Sequence, residues 1–571
     1  MSRFITKHIL QQFPFYVIIV GIITFWNILR NQFVWTDAMY TNPPVTRTFN
    51  VFHIFYGSVS TQPGYYRPIT AFYYFLIAHL FGSSPTPFHV IQICLFIANA
   101  CLLYYIFLHF LKKPIAMIIS IVYLLHPMNE ATAAFISDAD GLLFVTFGLI
   151  AILLYLNTKK LTIKKYSGIC FLLLVSLLAK ESGIFFFLFI FIHSLLFSRK
   201  NVKIVSIGLI GTGIFYIIMR ELLGMGFTQP QNYLYPLLGL TILQRFLNVP
   251  QMLFYYINKF FYPYRIGINH LWIITDVSMK NFYLPLFYDL VFLIVLLLMG
   301  WFVYRKNKTL FKAYILFFIM FWSSIAFFLQ VFIPLDYTVA ARWIYFPMIG
   351  LLGMLGIFVQ ELPYYKKFQK IFIVFFVIII VLLSYRTNLR NTYWSDNIRL
   401  FSTAVNVDDN YSNENQLADA YYNAGDYLDS LSHVDASIAL FPYDNNLTMK
   451  SLVEDKIGDH NSAVYFAQKA YAANNYGPNL HDANTYMVLG KLLIQNNDNL
   501  DAKKVLEKGI QEYPKSSYIL ILDAYNDYLL GNKTEAVVDL QNAKIVHPNN
   551  KVINALFNSI NSSNAFNIVI Q

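Results

Sequence analysis

Long apolar runs, separated by short clusters of lysine and arginine, constrain this 571-residue chain more than any other feature. About 20 apolar residues in a helix are enough to cross the roughly 30 Å hydrocarbon core of a bilayer. The basic clusters are Arg3/Lys7, Lys112-Lys113, Lys159-Lys160 with Lys164-Lys165, Arg199-Lys200 with Lys203, Arg305-Lys306 with Lys308 and Lys312, and Lys366-Lys367 with Lys370. Loops of this composition are cytoplasmic, so an even number of spans must separate neighbouring clusters. That rule splits the sequence between Lys113 and Lys159 into two spans around His126-Pro127-Met128-Asn129-Glu130 and Asp138-Ala139-Asp140. It also puts two spans between Lys165 and Arg199, meeting at Lys180-Glu181.

With a first span near 13–29 and others near 86–111, 203–219, 286–304, 313–333, 343–360 and 370–385, the sequence predicts a polytopic all-α bundle of about 11 transmembrane helices, N-terminus inside and C-terminus outside. The run 13–29 has no small-residue cleavage site after it and reads as an uncleaved span. Residues 69–82 and parts of 241–265, where aromatics alternate with Arg245, Lys259 and Arg265, read as lying in the membrane interface. The short loops and uncleaved first span fit a bacterial cytoplasmic membrane better than the endoplasmic reticulum.

Composition agrees with this reading. At 57% hydrophobic and 13% charged, the chain is far from an ordinary soluble protein. Its net charge of +11 sits in the loops between spans, which is topogenic charge and not a nucleic-acid surface. Cys94, Cys101 and Cys170 all lie in apolar spans, with no disulfide or metal-ligand spacing.

After Ser384 the composition changes abruptly. The expected domains are a membrane domain at 1–385, a linker helix at 386–412, about four helix-pair repeats at 413–550 and a tail at 551–571. Gly531, Ala536, Ala543 and Pro548 match the roughly 34-residue tetratricopeptide (TPR) pattern, and Ala502, Gly509 and Pro514 repeat it one period earlier. Weaker copies are Gly458/Ala463/Ala470 and Gly425/Ser430/Pro442. Small residues at these offsets let paired helices approach closely and stack into an α-solenoid, a shape that binds partner proteins.

Every acid in residues 1–360 (Asp37, Glu130, Asp138, Asp140, Glu181, Glu221, Asp276, Asp289 and Asp336) falls on or near the predicted non-cytoplasmic face. Acids contribute little to topology, so topogenesis does not explain the segregation. The functional reading is an acidic and cationic catalytic face just outside the bilayer, and sugar transfer from a lipid-linked donor is a reaction that would use one. Such a reaction needs a base for the acceptor hydroxyl, cations for the departing lipid phosphate, and an apolar groove for the lipid tail. Asp37, just beyond the first span, is the candidate base, against the plainer reading of a solvated loop acid. Arg67 and Arg342, each where the chain re-enters the membrane, are candidates for the donor phosphate, and Lys180 and Glu181 at a hairpin tip for the donor phosphate or substrate. Glu130 and Arg245 are further candidates on that face. Asp138 and Asp140, two residues apart, are candidate ligands for a divalent cation.

Trp35-Thr36-Asp37, Tyr66-Arg67-Pro68, His126-Pro127 with Glu130-Ala131, Lys180-Glu181, Arg342 with Tyr345 and Pro347, and Trp394 ahead of the repeats together carry a resemblance. The chain resembles the GT-C glycosyltransferases, specifically the transmembrane-and-tetratricopeptide-repeat (TMTC) O-mannosyltransferases and their bacterial relatives. The resemblance implies a metal-independent or weakly metal-linked, inverting transfer from a polyprenyl-phosphate sugar to a protein or glycan hydroxyl. The first-loop acid is then catalytic, a role that carries onto Asp37, and Tyr345 joins the substrate-binding residues. Mannose on Ser/Thr is the family's expectation. Three positions depart from the pattern: Thr36 stands where the family often has a second acid, Ala341 where an acid usually precedes the late arginine, and Asp138 where many members carry a basic residue. Other readings of the same residues are a transporter or flippase, a non-catalytic TPR-bearing scaffold, and a polyprenyl-linked glycan polymerase or ligase.

Overall fold

The computed structural model describes residues 13–41, 54–55, 65–223, 236–362, 369–473, 481–514, 516–546 and 551–562. Arg3, Lys7, Lys366, Lys367 and Pro548 lie outside the described residues. The chain divides into two compact units, Met1–Gln229 with Tyr235–Thr403, and Pro230–Leu234 with Ala404–Gln571. Both are helical, and the sole bridge among the described residues is an isolated one between His270 and Val339.

The first unit runs α1 (Phe13–Phe25), α2 (Pro68–Phe81), α3 (Pro85–Phe107), α4 (Lys113–Leu125), α5 (Ala139–Asn157), α6 (Ile163–Ala179), α7 (Ile184–Phe197), α8 (Val202–Leu222), α9 (Ile242–Phe261), α10 (Leu284–Lys306), α11 (Lys308–Phe328), α12 (Pro347–Glu361) and α13 (Gln369–Asn391), and the division between the units falls within α14 (Asn397–Val407). Proline opens many of them. Pro68, Pro85, Pro114, Pro285 and Pro347 all sit in a first turn, where a missing N–H costs no hydrogen bond. Apolar and aromatic side chains fill the space between helices, as where Phe186 meets Phe346 at 4.9 Å. α11 and α12 approach backbone to backbone at Gly350, where a Cβ would stand 2.7 Å from the Phe321 nitrogen.

Among the described residues, six helices are long and apolar enough to cross a membrane, or seven if α4 and the Pro127–Ala134 segment, bent by 51°, form one broken span. Helices stand at the eleven expected positions, but α1, α7 and α12 belong to shorter apolar helices, and α6, at 17 residues, also falls outside the six. The shortening has a local cause, since several helices stop early to bring a polar turn into the bundle. α6 and α7 break at Lys180–Gly183, and α4 breaks at His126. The expected interface stretches are helices too, α2 and α9. α9 starts with a capping box, Thr241 with Gln244, and exposes Leu243 and Phe246.

α13 runs on to Asn391, so the stretch expected as a linker helix at 386–412 holds the end of α13, a turn through Trp394, and α14. The second unit then pairs α15 (Tyr411–Ala424) with α16 (Tyr427–Leu440), α17 (Asp444–Ile457) with α18 (His460–Ala472), α19 (Ala483–Gln495) with α20 (Asn499–Glu512), and α21 (Ser517–Leu530) with α22 (Lys533–Val546). The stretch expected as a tail begins with α23 (Lys551–Ser562), which buries Ile553 and Leu556. Gly425, Gly458 and Gly531 take left-handed conformations at the turn inside a pair, and Asn497 takes it in the remaining pair. Ala463, Ala470, Ala502, Ala536 and Ala543 are buried on the second helix of their pairs. In the first pair serines replace these alanines. Ser430 donates to the Ala418 carbonyl at 2.8 Å and Ser437 to the Tyr411 carbonyl at 2.7 Å, so the helices still meet closely without an orphaned hydroxyl.

Candidate active site

The polar turn that breaks α4 and the one between α6 and α7 converge at one end of the helices of the first unit. The basic loops lie at their other ends, Lys159-Lys160 after α5 and Lys164-Lys165 at the start of α6. The scaffold of the site is the 126–138 turn. Gln92 donates to the carbonyls of Thr132 (3.0 Å) and Phe135 (2.6 Å), Asn129 to that of Tyr123 (2.8 Å), and Tyr74 to that of Ile136 (2.8 Å). These side chains hold Ser137 and Asp138 at its tip.

Asp37 opens a short helix, Asp37–Thr41. The preceding Trp35 sits at φ +54, a conformation that strains a bulky side chain by about 1–3 kcal/mol. The Trp35 ring stacks on Phe135 at 5.1 Å, and its backbone N–H donates to Asn397 at 2.7 Å. So fixed, Asp37 is 0% exposed. Its Oδ1 accepts from the Ser137 hydroxyl (2.7 Å) and N–H (2.8 Å), and its Oδ2 from the Val34 N–H (3.1 Å). Burial pushes the carboxyl up to about 7, against the pull of these hydrogen bonds. Thr36, half-buried, donates its hydroxyl to Ser137 at 3.1 Å. A hydroxyl chain, Thr36 to Ser137 to Asp37, thus links the enclosed carboxylate to the surface.

Charged groups knit together beside it. Arg67 donates to Glu181 from Nε (3.0 Å) and Nη2 (2.8 Å) and reaches Asp140 through Nη1. Burial works against the Arg67 charge, but Glu181 and Asp140 more than offset it. Lys180 stands 3.3 Å from Asp140 and 3.8 Å from Asp138, while Arg220 reaches Glu181 at 3.3 Å. Arg342 is held differently. Its guanidinium lies over Trp35 (5.8 Å), Tyr337 (5.6 Å) and Phe135 (6.0 Å), and its ion pair with Asp138 is a loose 4.0 Å. Burial pushes the Asp336 carboxyl up, with Arg342 pulling it down. Gln330 fixes the loop carrying Asp336 by bonding the Tyr337 and Thr338 carbonyls. Of the cations, Arg342 therefore has its donors least committed to carboxylates.

The structure thus brings together Arg67, Lys180, Glu181 and Arg342 with Asp138 and Asp140, and ties Asp37 to the same turn through Ser137. It does not bring in three other candidates. Glu130, 1% exposed, takes a bidentate pair from Arg390 (2.7 and 2.8 Å) and a bond from Trp394 Nε1 (3.1 Å), which leaves it no room for substrate. Arg245 spends its guanidinium on the carbonyls of Leu237, Leu238, Leu240 and Phe332. Tyr345, buried, accepts from Asn99 at 3.1 Å and stacks on Phe96, so it is packing beneath the site. Asp138 and Asp140 face Lys180, Arg67 and Arg342, and a divalent cation there would meet three positive charges. That donor set does not fit a metal. The one group of acids with metal-ligand spacing among the described residues, Asp523, Asp527 and Asp539, holds Lys503 at 3.1 and 2.7 Å from two of its members. Sequence reasoning missed Ser137, Arg220 and Arg390. A lone arginine closing the apolar run of α8 was the available signal for Arg220; a serine in a turn gives none.

Fold and site together define a helical protein with membrane-crossing-grade helices, an enclosed acid–base cluster at one end, and a TPR-like second unit. No family model matches the chain. It is similar to protein O-mannosyl-transferase F38B6.6 of Caenorhabditis elegans, 28% identical over 184 residues, which are 29% of this chain and 26% of that protein. The match thus spans about a quarter of that relative's length, and the chain resembles a TMTC-type transferase over that part. Among solved structures it is similar to YrrB, a TPR protein with an unusual peptide-binding site (13% identity, 28% of this chain and 81% of that one, TM-score 0.24). It is also similar to the Cut9–Hcn1 hetero-tetramer of the APC/C (12% identity, 90% and 91%, TM-score 0.27). Scores this low carry no argument, and the repeat reading rests on the helix pairs themselves.

Proposed function

We propose that the chain is a membrane glycosyltransferase of GT-C type that moves a sugar, mannose by family likeness, from a polyprenyl-phosphate donor to a hydroxyl of a protein acceptor. The observation that carries this is the buried Asp37 carboxyl, pushed up to about 7 and wired to the surface through two hydroxyls. A base poised near working pH is what hydroxyl activation needs.

The acceptor hydroxyl attacks the anomeric carbon as the carbon–oxygen bond to the lipid phosphate breaks, inverting the centre. The acceptor proton passes to Thr36, whose own proton moves to Ser137, and that of Ser137 to Asp37. Arg342, the cation least committed to carboxylates, takes the charge growing on the phosphate, assisted by Lys180. Arg67, Arg220, Asp140 and Glu181 lock the cations in place. The bundle supplies eleven spans, the shorter helices crossing beside longer ones where the polar site dips into the membrane. The basic loops lie in the cytoplasm and the site on the opposite face, in a bacterial cytoplasmic membrane. The 386–412 stretch joins the membrane domain to the repeats, which bind the acceptor protein.

The enclosure of Asp37 favours a second reading, a non-catalytic scaffold in which the carboxylate only staples two loops; a glycan polymerase or ligase differs from our reading in acceptor alone. Reconstituted protein given radiolabelled polyprenyl-phosphate mannose and a Ser/Thr peptide separates these. Transfer by the wild type and none by Asp37→Asn supports the enzyme with Asp37 as its base, transfer by both removes Asp37 from the chemistry, and no transfer by either leaves the scaffold.

A further inference from the structure

A second cationic site lies in the first unit, away from the acid–base cluster, and opens into an apolar groove. The groove, about 670 Å³, lies between α4, α12 and α13 and is walled by Ile118, Val122, Leu355, Phe376, Ile379 and Leu383. At its mouth stand Tyr264 and Arg386. Three cations converge there on one tyrosine. The Arg386 guanidinium lies 5.7 Å and that of Arg265 5.9 Å from the Tyr264 ring centre, and Lys259 donates to the Tyr264 carbonyl at 2.7 Å. None of the three forms an ion pair with a described acid, and the buried Nε of Arg386 has no hydrogen-bond partner. Burial lowers the Lys259 ammonium, and the positive charges of Arg390 and Arg265 lower it further. Arginine and lysine in the other cluster are matched by carboxylates; here the charge is unanswered. Exposed Phe261, Tyr262 and Tyr264 ring the mouth, as aromatic residues do at the level of lipid headgroups.

We propose that this groove holds an anionic glycerophospholipid of the bilayer, with its phosphate against Arg265, Lys259 and Arg386 and one acyl chain between α4, α12 and α13. The length of the groove fits. Its wall follows α4 from Pro114 to His126, about 18 Å of helix, close to the depth of one leaflet. A long polyprenyl chain would overrun it. The donor is also excluded by what stands between the two sites. Buried side chains in mutual contact, the Glu130–Arg390 pair, Trp394, and then Phe135 (5.3 Å from Trp394 and 5.1 Å from Trp35), fill the space from Arg390 on Arg386's helix to Trp35 beside Asp37. The lipid therefore braces the junction of α9 and α13 without presenting anything to Asp37.

The test uses purified full-length protein. Lipids that survive purification are identified by mass spectrometry, and delipidated protein is titrated with phosphatidylglycerol, phosphatidylcholine or glycerol phosphate while thermal unfolding is followed. We expect phosphatidylglycerol to be retained and to raise the unfolding temperature, with the other two inactive. Arg265→Gln with Arg386→Gln should weaken retention about thirtyfold, at about fivefold per charge. Ile379→Trp, which keeps every charge and fills the groove, should abolish retention. Equal stabilisation by phosphatidylcholine, stabilisation by glycerol phosphate, polyprenyl phosphate as the retained lipid, or undiminished retention by the double variant would each overturn the proposal. Should the variants misfold, the contrast among the three ligands on wild-type protein still decides it.

Discussion

Replacing Asp37 with asparagine should make the protein more stable in mild alkali while removing its chemistry. Burial raises the carboxyl from 3.8 to about 7, so holding it ionised in the fold costs about 4 kcal/mol, at about 1.4 kcal/mol per pKa unit. The sign follows from linkage. The folded value lies above the unfolded one, so the penalty is absent below about pH 4, grows as pH rises, and is complete above about pH 7. Between about pH 5 and about pH 8 it increases by about 2–3 kcal/mol. Asparagine carries no such penalty and can still accept from Ser137, but loses the Val34 N–H bond, at about 1–2 kcal/mol. Asp37→Asn should therefore match the wild type near pH 5 and exceed it near pH 8 by about 2 kcal/mol. Thermal unfolding in detergent at both pH values, followed by tryptophan fluorescence, measures this. A variant destabilised by the same amount at both pH values would refute the reasoning, because the hydrogen bonds and not the buried charge would then dominate.

Other outcomes follow from neighbouring contacts. Glu130→Gln leaves Arg390 buried and half-paired and should cost about 3–5 kcal/mol in thermal unfolding. Thr36→Val, which cuts the hydroxyl chain at its surface end, should lower kcat about 10²-fold with the unfolding temperature unchanged. Arg342→Lys keeps the charge but loses planar contact with Trp35 and Tyr337 and should reduce kcat/KM about tenfold, as steady-state transfer would reveal. Gly531→Ala, forced to φ +86, should destabilise the second unit by about 1 kcal/mol, read by its hydrogen exchange.

The helical class and the positions of the apolar helices were legible because apolar length and basic spacing act locally. Which helices would stop short was not. α6 and α7 end at Lys180–Gly183 because Lys180 and Glu181 find Asp140, Arg67 and Arg220, partners more than 35 residues away in sequence. Asp37, Arg67, Lys180 and Arg342 stood out as ionisable residues where little else in an apolar chain carries charge. Glu130 stood out for the same reason, but its partner Arg390 lies 260 residues on, so a buried structural pair looked like half of a site. Ser137 and Gln92, ordinary polar residues in local context, acquire their roles only once the 126–138 turn is folded against α3 and the Asp37 loop. In the repeats, Ser430 and Ser437 weakened the sequence signal because the alanine pattern hides the hydrogen bonds that let serine take the same place.

The pH dependence of single-turnover sugar transfer from a polyprenyl-phosphate donor tests the assignment of Asp37 as base most directly. The account predicts a rate that rises with pH to a plateau, with a single inflection near 7, and a fall of about 10²–10⁴-fold with no inflection in Asp37→Asn. A pH-independent wild-type rate, or an asparagine variant that keeps both rate and inflection, would contradict it.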